Sequence, residues 1–376
     1  MLDGYDFTIL TLVLTDIGQD FHVDKTALGV LGTATLVMRL VGGLGAGWAA
    51  DRWGRRGPLM ISIIWFSLFS FLSGLAPNYQ VLLLFRALFG LGMGGEWAAG
   101  MPLVLEHYPE KRRGFVLGVL QGAFSWGFIL AAAAFQFGAP YLTSIDVPVW
   151  RALMWTGILP ALLVLWIRAR VAESPLWLAG KIDTARRPVP WRLLLRGDVV
   201  RAAGVLAAVM FAYQSMTFWY ASFLDESGFK TLTLPFLIAL NVGGIIGAAG
   251  WGRLAGSSWG ARRAIATGAL LSLVSLPLYL LADAPWMMFA GALAIGLTGA
   301  GIIGVMPTYV GGHFETASRA TGWGLVYHIG AASGALAPVL IGVAQDSGWA
   351  VHTAMTAGVG IATALALVLL SFRASK

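Results

Sequence analysis

The chain is a near-unbroken series of apolar runs, each about 20 residues long and separated by charged or Gly/Pro-rich turns. A helix of that length crosses the ~30 Å hydrocarbon core of a bilayer. Inside that core each segment must satisfy its own backbone hydrogen bonds, so such runs become helices. Twelve are predicted, at 1–20, 27–49, 57–76, 80–106, 112–137, 151–170, 199–224, 232–254, 263–282, 285–311, 318–341 and 350–371. Charged residues make up 11% of the chain, against roughly 25% in a soluble domain, which excludes a soluble fold. The expected fold class is an all-α polytopic membrane protein, with twelve transmembrane helices in two six-helix bundles.

The formal charge of +7 takes its meaning from where the basic residues lie. With both termini cytoplasmic, 20 of the 25 Lys and Arg fall on the cytoplasmic side, as the positive-inside rule requires. Nucleic acid is therefore not an expected partner; the bilayer is. No basic start or small-residue cleavage site accompanies the first run, so no cleaved signal peptide is expected. There is no Cys, and the five His are scattered without an HExxH pattern, which argues against thiolate, disulfide and metal-dependent chemistry. No cofactor, no metal and no enzymatic activity are expected.

A hydrophilic stretch at 171–198 separates an N-terminal bundle, 1–170, from a C-terminal bundle, 199–376, and the halves repeat weakly. Gly47 to Arg56 after the second run answers to Gly252 to Arg263 after the eighth, and Met101-Pro102 answers to Met306-Pro307. On that frame Arg86 falls opposite Gly291, Glu96 opposite Gly301 and Asp51 opposite Gly256, so charge chemistry is expected in the first half only. Ionised groups within a span are costly and mark pathways or paired charges, which singles out Arg39, Arg86 and Glu96. Arg86 and Glu96 are ten residues, about 15 Å, apart along one helix and cannot pair. Arg39 is the expected partner of Glu96, which serves either as proton carrier or as inter-helix clamp. An arginine fork matches a carboxylate bidentately, so an anionic substrate is expected at Arg39. Gln121, Trp126, Tyr213, Gln214, Tyr220, Asn241, Tyr327 and His328 are further candidate substrate contacts. Asp51, Arg52, Arg55, Arg56, Glu106, Arg113 and Glu173, at the turns, are candidates for a charge network that switches as the bundles rock.

The twelve runs, the basic central loop, the Gly47 to Arg56 motif and Arg86-x3-Gly90-x-Gly92 resemble the major facilitator superfamily across essentially the whole chain. Arg113-Gly114 with Gln121, and Glu173-Ser174-Pro175-Leu176-Trp177, resemble its sugar porters, but Phe211 to Tyr220 lacks the paired glutamines of a hexose site. Leu2 to Phe7, Gly92 to Trp97 and Ile167 to Ser174 resemble the sialate:proton symporter branch, which includes lactate and pyruvate carriers. That resemblance implies a proton-coupled secondary transporter. It would import a small organic acid anion by alternating access, through a site near mid-membrane between the bundles, as a monomer in the inner (plasma) membrane. The alternatives are a sugar or other metabolite porter, or a drug or metabolite efflux carrier. The resemblance also implies that Asp6 and Arg86 form the proton-coupling pair. Desolvation favours the neutral carboxyl and a neighbouring guanidinium the ionised one, so a change in their separation switches protonation.

Overall fold

A computed structural model describes residues 2–108, 110–144, 147–178, 196–282, 284–311, 313 and 319–372. The side chains of Asp51, Arg113, Gln121 and His328 lie outside the described residues. The described residues are all helical, without a strand, in two units, Met1–Pro188 and Val189–Lys376. Among the described residues ten helical stretches, some of them consecutive shorter helices, are long and apolar enough to span a bilayer. The other two expected spans fall on the first helical stretch, which is broken, and on Glu110–Ser144, where part of the side chains lie outside the described residues.

Unit 1 comprises α1 (Leu2–Leu12), α2 (Leu14–Phe21), α3 (Lys25–Trp53), α4 (Arg56–Ser73), α5 (Tyr79–His107), α6 (Glu110–Ser144), α7 (Val149–Thr156), α8 (Pro160–Arg170) and the single turn α9 (Pro175–Leu178). The break at Val13 has a local cause. Thr8 and Thr11 turn their hydroxyls back onto the carbonyls of Gly4 and Thr8, at 2.7 and 2.8 Å, and such back-bonding bends helices. Asp24 starts α3 by accepting from Ala27 N at 2.7 Å, an N-cap. α3 and α5 then meet backbone to backbone. A Cβ on Gly94 would stand 2.6 Å from Gly43 N, so glycine alone permits this approach. Close packing of this kind replaces the hydrophobic drive that lipid removes.

Unit 2 comprises α10 (Gly197–Thr217), α11 (Tyr220–Glu226), α12 (Thr233–Ala255), α13 (Ala261–Leu280), α14 (Pro285–Ile295), α15 (Met306–Gly311), α16 (Arg319–Gly334), α17 (Leu336–Asp346) and α18 (Val351–Ser371). Its first helix also breaks, at Phe218–Trp219, next to a Thr217 hydroxyl bonded back to Tyr213 O at 2.8 Å. Between α14 and α15 the chain passes through a π turn, Gly296–Ala300, and a 3-10 turn, Gly301–Val305. Large apolar side chains such as Ile61, Leu165, Val274 and Ile361 are about two-thirds exposed, as lipid-facing surfaces are.

Candidate functional site

Two charged residues of unit 1 are buried near one another, apart from its other charges. Asp6 on α1 and Arg86 on α5 are both fully buried. Ser70 on α4 donates to Asp6 Oδ1 at 3.2 Å. Gly157, following α7, closes this wall: a Cβ there would stand 2.7 Å from Asp6 Oδ1. The Arg86 guanidinium lies 4.1 Å over the Phe89 ring, with Nη1 at 3.9 Å from Met154 Sδ. Its Nε and Nη2 are buried without a hydrogen-bond partner among the described residues. Asp6 acts on Arg86 electrostatically, yet the described ion pairs within 4.0 Å do not include the two. The structure thus buries Asp6 and Arg86 within electrostatic reach of each other and leaves Nε and Nη2 of the guanidinium without a protein partner among the described residues.

Glu96 is half-buried farther along α5. The expected Arg39–Glu96 ion pair is not among the described ones; instead the Arg39 guanidinium lies 5.9 Å from the Trp97 ring, a cation–π distance.

A second charged cluster forms at the start of α4. Gly54, at φ +97°, turns the chain so that Glu173 reaches the helix N-terminus. Its carboxylate accepts from Arg55 N at 2.9 Å, Arg56 N at 3.1 Å and Ser174 N at 2.8 Å. A carboxylate satisfying the free amides of a helix start is favoured by both hydrogen bonding and the helix dipole. Arg55 Nη2 pairs with Glu106 at 3.6 Å, and Arg56 donates to Arg168 O. Arg52 stays outside this cluster, 5.7 Å over Trp48.

Unit 2 offers neutral groups. Tyr220, fully buried, stacks on Tyr279 at 4.2 Å. Tyr279 donates to Met216 O at 2.8 Å, whereas the buried Tyr220 hydroxyl has no described partner. Gln214 and Asn241 are buried and turned onto their own helices, to Thr217 at 3.5 Å and Leu237 O at 2.9 Å. Tyr213 and Tyr327 are half-buried, and Trp126 in unit 1 is 56% exposed.

Sequence reasoning missed Ser70, Met154, Phe89 and Tyr279. It also missed a clamp in unit 1, where Asp20 accepts from Trp150 Nε1 at 3.1 Å and Arg151 Nη2 at 3.2 Å while Arg151 Nη1 donates to Ala76 O at 2.8 Å. The available signal for the clamp was Arg151, a lone basic residue at a span boundary.

A family model described as Major Facilitator Superfamily matches residues 1–257. The sialic acid transporter NanX of Escherichia coli is 29% identical over 350 residues, 90% of this chain and 83% of that protein. A cis,cis-muconate transport protein of Acinetobacter baylyi is 29% identical over 93% of this chain and 86% of its own length. Over 186 residues, a probable 4-methylmuconolactone transporter of Cupriavidus pinatubonensis is 39% identical, and that match spans only 43% of its length. The fold is shared with a solved D-xylose-proton symporter, at a TM-score of 0.78 and 19% identity over 99% of this chain and 94% of that one. These relatives are transporters rather than enzymes. The chain is a multi-pass membrane protein of the Major Facilitator Superfamily, a secondary transporter.

Proposed function

We propose that the protein imports a small organic acid anion together with a proton. The observation that carries this reading is the buried Arg86 with open Nε and Nη2, sharing a pocket with Asp6. A substrate carboxylate and an ionised Asp6 compete for the same guanidinium charge. Protonating Asp6 removes the competitor, so proton and anion bind together and travel together. That is symport, and the inward proton gradient then drives uptake. The carboxylic acids in the names of the sialate and muconate relatives fit this chemistry.

Glu96 is a second acidic group for proton transfer. Arg39, Trp126, Tyr213, Gln214, Tyr220, Asn241 and Tyr327, with Gln121 and His328, are proposed substrate contacts. The Glu173, Arg55, Arg56 and Glu106 cluster, with Arg52, Asp51 and Arg113, is the proposed switch. The bias of the basic residues supports an orientation with both termini in the cytoplasm, and the protein is proposed to act as a monomer in the inner membrane.

The test is uptake of sialic acid and of cis,cis-muconate by purified protein in liposomes. An inward proton gradient should drive accumulation above the external concentration. Uptake of either acid that ignores the gradient would contradict proton coupling.

A further inference from the structure

The sixth expected span, 151–170, does not form one helix, and its break is where unit 1 gathers contacts to the buried pair. Pro160 has no N–H to offer the Thr156 carbonyl, and its ring would collide with that carbonyl in a continued helix. α7 therefore ends at Thr156 and α8 begins at Pro160. The backbone between them closes into tighter turns, with Gly157 N donating to Met154 O at 3.1 Å and Leu159 N to Thr156 O at 3.0 Å. Thr156 turns its hydroxyl onto Leu153 O at 2.6 Å, which uses its one hydrogen.

That single turn touches α1, α4 and α5 together. Because the Thr156 hydrogen is given to Leu153 O, the Tyr5 hydroxyl of α1 is the donor in its 2.8 Å bond with Thr156 Oγ1. Met154 Sδ stands 3.9 Å from Arg86 Nη1 of α5. Gly157 packs against two side chains at once: a Cβ there would collide with Ser70 Oγ and Cβ of α4 and stand 2.7 Å from Asp6 Oδ1. Ser70 and Asp6 are both fully buried, and the Ser70 hydroxyl donates to Asp6 Oδ1 at 3.2 Å. Glycine is required here for space and not for backbone angle, since its φ of −63° suits any residue.

We propose that Ser70 and Gly157 are positioning residues for Asp6: the turn at Gly157 holds the Ser70 hydroxyl against one carboxyl oxygen and so fixes how Asp6 meets its proton. This rests on the reading of Asp6 as the proton site. A serine hydroxyl donates to an ionised carboxylate and accepts from a protonated carboxyl, so Ser70 can hold Asp6 through both states. Alanine does neither, and the carboxyl then rotates.

The experiment uses the full-length protein in liposomes, as wild type, Ser70→Ala, Gly157→Ala and Asp6→Asn. Infrared difference spectra taken on acidification isolate the carboxyl band that Asp6→Asn abolishes. Ser70→Ala, a change of one oxygen that the fold survives, should move that band to higher frequency, as a C=O does on losing a hydrogen-bond donor. Gly157→Ala, which pushes Ser70 aside, should move it as well. With labelled sialic acid or cis,cis-muconate, the ratio of gradient-driven uptake to exchange should fall about tenfold in Ser70→Ala, the effect of one hydrogen bond to an ionised group. A band that stays in place in either variant, or a ratio that keeps its wild-type value in Ser70→Ala, overturns the positioning role and leaves the symport reading standing. A wild type that shows no Asp6 band on acidification, or an Asp6→Asn protein that accumulates substrate undiminished, overturns the symport reading and the positioning role with it.

Discussion

Each unit joins its second and fourth long helical segments through glycines, and the two fourth segments then part company. In unit 1 Gly94 of α5 rests on the α3 backbone; in unit 2 Gly301 would place a Cβ 2.7 Å from the Gly247 carbonyl carbon of α12. But α5 runs as one α-helix from Tyr79 to His107, through Pro102, and carries Arg86 and Glu96. The matching stretch, Pro285–Gly311, passes from α through π and 3-10 turns to α and carries no charge. A buried charge needs a defined position to meet its partners, and a continuous helix supplies it. A neutral segment rich in glycine, a poor helix former, is released from that demand.

The comparison breaks most severely at the glycine contacts. Gly42→Val and Gly247→Val each drive a side chain into the facing backbone, and each should cost on the order of 3 kcal/mol or more and prevent a monodisperse protein in gel filtration. A well-folded Gly247→Val would show that the interrupted unit 2 segment yields where α5 does not. Next comes the charge itself. Arg86→Met should abolish transport and also lower thermal stability, by about 1–3 kcal/mol, because it leaves the buried Asp6 carboxyl without its guanidinium. Unfolding of that variant would make Arg86 structural. Glu173→Gln removes the anionic cap of α4, and about 1–2 kcal/mol of thermal stability should go with it. The smallest contrast lies between two stacked rings of unit 2. Tyr279→Phe should cost about 1 kcal/mol by freeing Met216 O, whereas Tyr220→Phe should leave stability within about 0.5 kcal/mol and act on substrate affinity instead.

The spans and the one-sided distribution of charge were legible in the sequence, because hydropathy over about 20 residues decides which segments enter lipid. The grouping of Asp6 with Arg86 came from the family resemblance and not from any spacing between them. The breaks at Val13 and Phe218–Trp219 were not legible: a window average ignores whether a threonine hydroxyl turns onto its own helix, as Thr11 and Thr217 do. Arg39 was read by charge alone, while its side chain has an aromatic choice in Trp97. Glu173 was expected among charged side chains, and its main partners are instead backbone amides, which no sequence pattern displays. Tyr279 sits among apolar neighbours with nothing to separate it from packing until the Tyr220 ring is found against it.

The central claim is that Asp6 couples the proton to an anion held by Arg86. Asp6→Asn, a neutral mimic of the protonated carboxyl, tests it most directly in liposomes, by comparing gradient-driven accumulation with one-for-one exchange of labelled substrate. The account predicts that accumulation vanishes while exchange continues. Undiminished accumulation by Asp6→Asn would contradict it.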